Sequence, residues 1–371
     1  MTKLRKSCRP SNILIFEFMK NSKTILVAPL NWGLGHATRC IPIIRALLAH
    51  NFTPVLASDG IALQLLQKEF PDLETITLPD YKIEYAKKGK NFKLKMLKDS
   101  PKMLKAISKE KKIVKKLMKE RDFCGIISDN RLGVYSKKVP SVFITHQLNV
   151  LSGKTTWLSS KIHQLIIKKF DQCWVPDVEG KPNLSGKLGH IKNDSLSLKY
   201  IGPLSRLHAQ ELPITYDLMV ILSGPEPQRT MLENKLFEEV KLFNGNVIFV
   251  RGKIEAKQES FQFLNCEVHN FMQSEQLEKA FNESAIVLSR SGYTTVMDLA
   301  KLGKKAFFIP TPGQFEQEYL AKRLQKQQLV PTATQDDFSI DQLARITEFK
   351  GLSSFNYEEN YESLFQLFQG K

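Results

Sequence analysis

No stretch of this 371-residue chain stays apolar for the roughly 20 residues that a membrane-spanning helix needs, which excludes a helical membrane protein. Cysteine is scarce as well. Cys8, Cys40, Cys124, Cys173 and Cys266 are scattered, odd in number and free of CxxC spacing, so they read as reduced thiols of a cytoplasmic protein. A D-x-D motif is missing, and no His/Cys cluster stands at ligand spacing; no metal and no cofactor are therefore expected in the chemistry. The full G-x-G-x-x-G of a dinucleotide-binding turn is also absent.

Positive charge is abundant and unevenly placed. The formal net charge is +16, and between Lys82 and Arg121 there are 16 basic residues against four acids, so +12 of it lies in that segment. Such a stretch implies an acidic partner: a phosphorylated substrate, an anionic lipid surface or nucleic acid. Ala106, Ile113, Val114, Leu117 and Met118 leave an apolar stripe among the lysines, as in a basic amphipathic helix that rests on an anionic membrane. The alternative is a solvated helix that packs its stripe on its own domain. Nucleic acid is the weakest partner, because beyond Tyr81, Tyr85 and Phe92 the segment has few aromatics for stacking.

Residues 1–22 read as an N-terminal extension. Its hydrophobic patch, Ile13 to Phe18, is interrupted by Glu17 and followed by no small-residue cleavage site, so a secretory signal is not expected. From Thr24 to Leu30 comes a buried first strand, then Asn31-Trp32-Gly33-Leu34-Gly35-His36, then a helix with Ile41, Ile44, Leu47 and Leu48 on one face. Glycines at this turn allow close backbone approach to a ligand. Strands are expected at Pro54 to Ala57, Glu74 to Leu78, Gly125 to Ser128, Ser141 to Thr145 and Gln172 to Val175. Helices are expected at Ile61 to Phe70, Pro101 to Lys119 and Leu158 to Lys169. Strands alternating with helices predict a parallel sheet covered on both faces.

A patternless stretch after Tyr200, with prolines at Pro203 and Pro213 and reaching to Tyr216, marks the domain boundary. A second α/β series follows, with strands at Asp217 to Leu222, Val247 to Val250, Ala285 to Leu288 and Lys305 to Ile309 and a helix from Met231 to Phe243. The predicted division is an α/β domain over 23–205, a second over 216–350 and a terminal helix over 355–371. Its densest part is Ile286 to Leu324, IVLSRSGYTTVMDLAKLGKKAFFIPTPGQFEQEYLAKRL, which reads as strand, tight turn, helix, strand, loop, helix. Two polar loops at strand ends in one short segment make a ligand crevice.

The stretch from Ser289 to Leu324 resembles the C-terminal domain of family 28 glycosyltransferases, the group that includes the bacterial peptidoglycan N-acetylglucosaminyltransferase. The G-L-G-H turn at Gly33 to His36 is similar to the His-containing glycine turn of the same enzymes. The resemblance implies the GT-B fold, two doubly wound Rossmann-like α/β domains facing a cleft. It implies a nucleotide-sugar donor, UDP-linked, held by the second domain, and a glycan or lipid-linked acceptor on the first.

Within that frame Asp298 falls at the ribose-binding carboxylate, and Ser291, Gly292 and Thr294 at the helix start facing the diphosphate. Phe271 and Met272 fall where the family closes over the base, and Glu316 and Gln317 where it reads the donor sugar. Ser223, Gly224 and Arg229 form a second candidate loop for phosphate contact. Each has a structural alternative: a first-turn helix acid for Asp298, a plain N-cap for Ser291, core for Phe271 and solvated surface for Arg229 and Glu316.

His36 is the leading candidate for catalysis, because an imidazole at the first loop takes a proton from an acceptor hydroxyl near neutral pH, or bonds the donor phosphate. Asp129 and His146 share its rim. The expected activity is inverting, metal-independent transfer of a sugar to an acceptor hydroxyl, with the protein cytoplasmic and peripheral at the inner face of the membrane. Two other functions suit the same residues: a nucleotide-sugar 2-epimerase, which needs no acceptor, and a non-catalytic protein bound to an anionic surface through its lysines.

Overall fold

A computed structural model describes residues 23–81, 92–191, 195–224, 226–352, 357 and 360–370, of which 92–100 are described by their backbone alone. The expected extension at 1–22 and the first ten residues of the Lys-rich segment lie outside the described residues.

The first sheet holds β1 (Lys23–Pro29), β2 (Phe52–Ser58), β3 (Thr75–Thr77), β4 (Phe123–Asp129), β5 (Ser141–Ile144), β6 (Gln172–Val175) and β7 (Leu198–Tyr200). Its order is β3-β2-β1-β4-β5-β6-β7 and every pairing is parallel. Helices α1 (Gly35–Ala49), α2 (Gly60–Glu69), α3 (Phe92–Glu120) and α4 (Thr156–Ile167) cover it. A parallel sheet is wrapped on both faces, which is why β1 is apolar at successive positions: Ile25, Leu26, Val27 and Ala28 are all fully buried. Ile41, Ile44 and Leu47 carry α1 onto the sheet as their spacing predicts, whereas Leu48 falls off that face and is exposed.

The second sheet contains β8 (Tyr216–Ile221), β9 (Val247–Val250), β10 (Ser260–Phe263), β11 (Cys266–His269), β12 (Ser284–Ser289) and β13 (Lys305–Phe308), in the order β10-β11-β9-β8-β12-β13. With it go α5 (Gln228–Val240), α6 (Ser274–Asn282), α7 (Tyr293–Leu302) and α8 (Phe315–Lys326). All its pairings are parallel except the β10-β11 hairpin at one edge. That hairpin and α6 escape the sequence reading because four-residue strands with polar alternate positions carry little periodic signal.

Two boundaries differ from expectation. Helix α3 starts at Phe92 and holds Pro101 inside, although a proline reads most simply as a first helical residue. The terminal segment is not one helix: α9 (Tyr361–Phe365) gives way to a 3-10 turn at Gln366–Phe368. This segment crosses back to the first sheet, where Phe365 meets Phe52 edge-on at 5.7 Å and Phe368 meets Trp174 at 6.1 Å. Gly125 of β4 makes room for it, since a Cβ there would stand 2.2 Å from the Phe368 ring.

Candidate functional site

In an open parallel sheet, ligands bind beyond the strand ends where the strand order reverses. In the first sheet that point lies between β1 and β4, and in the second between β8 and β12. The two points face each other. A Cβ on Gly33, after β1, would lie 4.0 Å from the Gly224 Cα, after β8. The Thr294 hydroxyl, in the first turn of α7, donates to the Gly35 carbonyl at the start of α1 at 3.1 Å. Gly33 and Gly224 both have positive φ, +76° and +105°, and Gly35 is crowded, since a Cβ there would lie 2.8 Å from the Thr294 hydroxyl.

The N-termini of α1 and α7 therefore converge. Neither has a side-chain cap on its first N–H groups, and neither has an acid in its first turn. Such paired helix ends present unsatisfied donors and positive dipole to an anion.

Beside them lies a buried charged network. Asp129, at the end of β4, is fully buried; it accepts from Arg39 Nε at 2.5 Å and from Arg39 Nη2, and lies 2.7 Å from His36 Nδ1. Burial alone would raise the Asp129 carboxyl, but the Arg39 guanidinium and His36 outweigh it and hold it down at about 2. Burial lowers the His36 imidazole below its usual range, against the pull of Asp129. Nδ1 also lies 2.9 Å from Arg39 Nη2; with its proton on Nδ1 the neutral imidazole donates to the nearer Asp129 carboxylate and leaves the Nε2 lone pair as the basic site. The ring retains 15% exposure at the rim.

The network then crosses to the second half. Arg39 Nη1 donates to His146 Nδ1 at 3.0 Å, and His146 Nε2 donates to Glu316 Oε1, in the first turn of α8, at 2.7 Å. Gln147 donates to the other Glu316 oxygen. Burial would raise the Glu316 carboxyl, but His146, His36 and Arg39 together hold it below the ordinary range. Tyr293 stacks on the His146 ring, with centroids 4.1 Å apart, and donates its hydroxyl to the Pro176 carbonyl at 2.8 Å. The two halves are thus joined by directional bonds around one point.

The other predicted site residues divide by place. Ser291 is buried and donates to the Gln317 carbonyl at 2.9 Å; the N-cap of α7 is Gly292, so Ser291 does not cap it. The Gln317 side chain accepts from the Thr311 N–H at 2.8 Å, shaping the loop after β13. Asp298 stands in the second turn of α7, not the first, and accepts from the Ser205 hydroxyl at 2.6 Å. Burial raises its carboxyl to about 6, with Ser205 and Arg206 pulling the other way. Phe271 and Met272 are buried, Phe271 with Lys68 Nζ 5.3 Å from its ring centroid. Ser223 is half-buried beside Gly224.

Arg229 is buried at the base of α5 and donates to Glu226 at 2.7 Å, to Glu233 and to the Arg251 carbonyl at 3.3 Å, all within its own half. It is not the solvated residue that its sequence allows. Arg39 is the important residue that sequence reasoning overlooks. Its signal was available: an arginine one turn after His36, on the same face of a helix whose buried positions are mostly apolar. Among the described residues, no group of three or more His, Cys, Asp or Glu side chains is placed to hold a metal ion.

Residues 226–362 match the glycosyltransferase family 28 C-terminal domain. Among curated proteins, the chain is similar to the UDP-N-acetylglucosamine--N-acetylmuramyl-(pentapeptide) pyrophosphoryl-undecaprenol N-acetylglucosamine transferase of Haemophilus ducreyi, 25% identical over 224 residues, which are 58% of this chain and 59% of that protein. The transferase of the same name from Clostridium tetani is 26% identical over 295 residues, 74% of this chain and 75% of that one. The chain spans 59% and 60% of the length of the Haemophilus ducreyi and Buchnera aphidicola relatives.

Among solved structures, Acinetobacter baumannii MurG superposes with a TM-score of 0.54 at 14% identity, covering 94% of this chain and 99% of that one. The spinosyn forosaminyltransferase SpnP does so with 0.61 at 13%, covering 94% and 100%. The chain thus has the GT-B fold, two Rossmann-like α/β halves facing a cleft, and within its second half residues 226–362 match the glycosyltransferase family 28 C-terminal domain.

Proposed function

We propose that this protein is a metal-independent, inverting glycosyltransferase that moves a sugar from a uridine-diphosphate donor to an acceptor hydroxyl. The observation that carries the reading is the meeting of two uncapped helix N-termini beside an Asp129-oriented His36. In this reading the acceptor oxygen attacks the anomeric carbon while His36 Nε2 takes its proton, and the bond from that carbon to the diphosphate oxygen breaks. The N–H groups at Gly292 to Thr294 and around Gly35, with the Ser223-Gly224 loop, receive the charge of the departing diphosphate.

Asp129 acts through His36 as a positioning residue, and Arg39 acts through Asp129. Asp298 serves the ribose, Phe271 and Met272 the base, and Glu316 with Gln317 the donor sugar. Arg229 supports the phosphate loop through Glu226. Residues 23–205 form the acceptor side and 216–350 the donor side. The relatives' printed names supply the acceptor class, a lipid-linked glycan. The working place in this reading is the inner face of the membrane, reached from the cytoplasm.

The test is calorimetric titration of the full chain with UDP-N-acetylglucosamine and related nucleotide sugars, followed by product analysis with and without a lipid-linked acceptor. His36→Ala should retain donor binding and lose transfer. Absence of binding to every nucleotide sugar refutes the reading, and conversion of the donor without an acceptor points instead to epimerisation.

A further inference from the structure

Helix α2 ends on a residue that its own helix does not favour. Glu69 is its last residue, where a carboxylate meets the negative end of the helix dipole. Its side chain is nevertheless only 5% exposed, and the groups that satisfy it come from other parts of the chain. Glu69 Oε1 accepts from the Ser274 N–H at 2.9 Å, from the Ser274 hydroxyl at 2.7 Å and from Arg206 Nη1 at 3.1 Å. Arg45 Nη2 stands 3.7 Å from the other oxygen.

Ser274 is the first residue of α6, in the second half, and the N-cap residue before it, Gln273, makes no side-chain capping bond. A carboxylate at such an end satisfies a donor that the helix leaves open and lies at the positive end of the dipole. Glu69 therefore caps α6 from the first half: the charge that is misplaced on α2 is well placed on α6. Two further contacts run alongside. Lys68 donates to the Ala256 carbonyl at 3.0 Å with its ammonium 5.3 Å from the Phe271 ring centroid, and the Gln273 amide donates to the Lys68 carbonyl at 3.4 Å.

What this cap fixes is the segment from Asn270 to Gln273, between β11 and α6. It contains Phe271 and Met272, both buried and both assigned above to the base of the donor. Its near end is tied within the second half, where the Asn270 amide donates to Glu255 at 2.8 Å and to the Lys257 carbonyl at 2.9 Å. Its far end is tied to the first half through Ser274. Arg206, in the segment that connects the halves, joins the same cluster by donating to the Ser274 hydroxyl at 3.1 Å, and its neighbour Ser205 is the residue that donates to Asp298. Connection, base segment and ribose carboxylate thus meet beside one carboxylate of the first half.

We propose that Glu69 is a positioning residue for the base of the donor: by capping α6 across the two halves it holds Asn270 to Gln273 closed over the base, so that base recognition belongs to both halves. The inference rests on the nucleotide-sugar reading above. A change at this contact should loosen the hold on the base and spare the hold on the diphosphate, whose donors in that reading are at the starts of α1 and α7.

The experiment is calorimetric titration of the full chain and its variants with UDP, alone and in competition with inorganic pyrophosphate. Ser274→Pro removes both Ser274 donors and keeps α6, because proline suits a first helical position and Gln273 before it is extended, with φ −74° and ψ 170°. Its UDP affinity should fall by about tenfold or more, as expected for lost hydrogen bonds to a charged group, with pyrophosphate affinity and the circular-dichroism spectrum at wild-type values. Glu69→Ala should do the same, and Glu69→Gln, which keeps an acceptor oxygen for Ser274, should recover part of the loss. In steady-state transfer the donor KM should rise by the same factor with kcat retained, a split that loss of folded protein would not produce.

Wild-type UDP affinity in the folded Ser274→Pro variant would overturn the proposal. So would an equal loss of UDP and pyrophosphate affinity, since the cap would then serve closure of the whole cleft and not the base. A wild-type chain that binds no uridine nucleotide is a distinct result: it refutes the donor reading itself, and this inference falls with it.

Discussion

Replacing Asp129 with Asn tests the buried network most directly. The carboxyl lies near 2 in the folded chain against an ordinary 3.8. At about 1.4 kcal/mol per tenfold change in proton affinity, the charged form contributes roughly 2–3 kcal/mol to stability. Because the folded value is depressed, that contribution is present above the unfolded value and is lost as pH falls through about 2. Asn also turns a neutral amide toward Arg39, which at 1% exposure is cut off from bulk solvent. Breaking a buried pair from one side costs about 3–5 kcal/mol.

Urea unfolding of Asp129→Asn at pH 7, followed by circular dichroism, should show a loss in that range with little change in slope, and a flatter acid limb than wild type. Arg39→Met/Asp129→Leu, which removes both charges, should lose less than the two single changes together. Both variants should lower transfer by about 10²–10⁴-fold, because His36 loses the acceptor that fixes its tautomer. A single-variant loss below about 1 kcal/mol with strictly additive double-variant behaviour would refute the account.

Further tests address other parts of the site. For Asp298 the sign is opposite: its folded carboxyl is raised to about 6, so stability falls as pH rises from the ordinary carboxylate range through 6, and Asp298→Asn should raise the melting temperature at pH 8. The same change should weaken uridine-nucleotide binding about 10–100-fold by calorimetry, since a charged acceptor is lost. Glu316→Ala removes the acceptor of His146 and Gln147 and should widen the cleft between the halves, seen as a larger radius of gyration in small-angle scattering. Gly125→Ala places a methyl on the Phe368 ring and should destabilise by about 1–3 kcal/mol in urea, while Phe368→Ala should cost about 3–5 kcal/mol by leaving a cavity.

The sequence alone determined the elements and the architecture, because these follow from local rules. Apolar runs such as Thr24 to Leu30 are strands buried on both faces, and Ile41, Ile44 and Leu47 define one helical stripe; their alternation requires two parallel sheets. It also identified the turn at Gly33 to His36 and the stretch from Ile286 to Leu324 as strand-end loops. The edge hairpin β10-β11 was not legible, since its pairing is its main support.

Tertiary structure decided which polar residues meet. His36, Arg39, Asp129, His146 and Glu316 are spread over 280 positions of chain, yet form one hydrogen-bonded chain where two sheet reversals face each other. It also decided the orientation of two helices. The lysine helix α3 packs its apolar stripe inward against the core, whereas α4 turns Ser160, His163 and Gln164 inward and its apolar residues outward. Periodicity in a sequence defines a stripe but not the direction it faces, because that direction is set by what the neighbouring strands present to it.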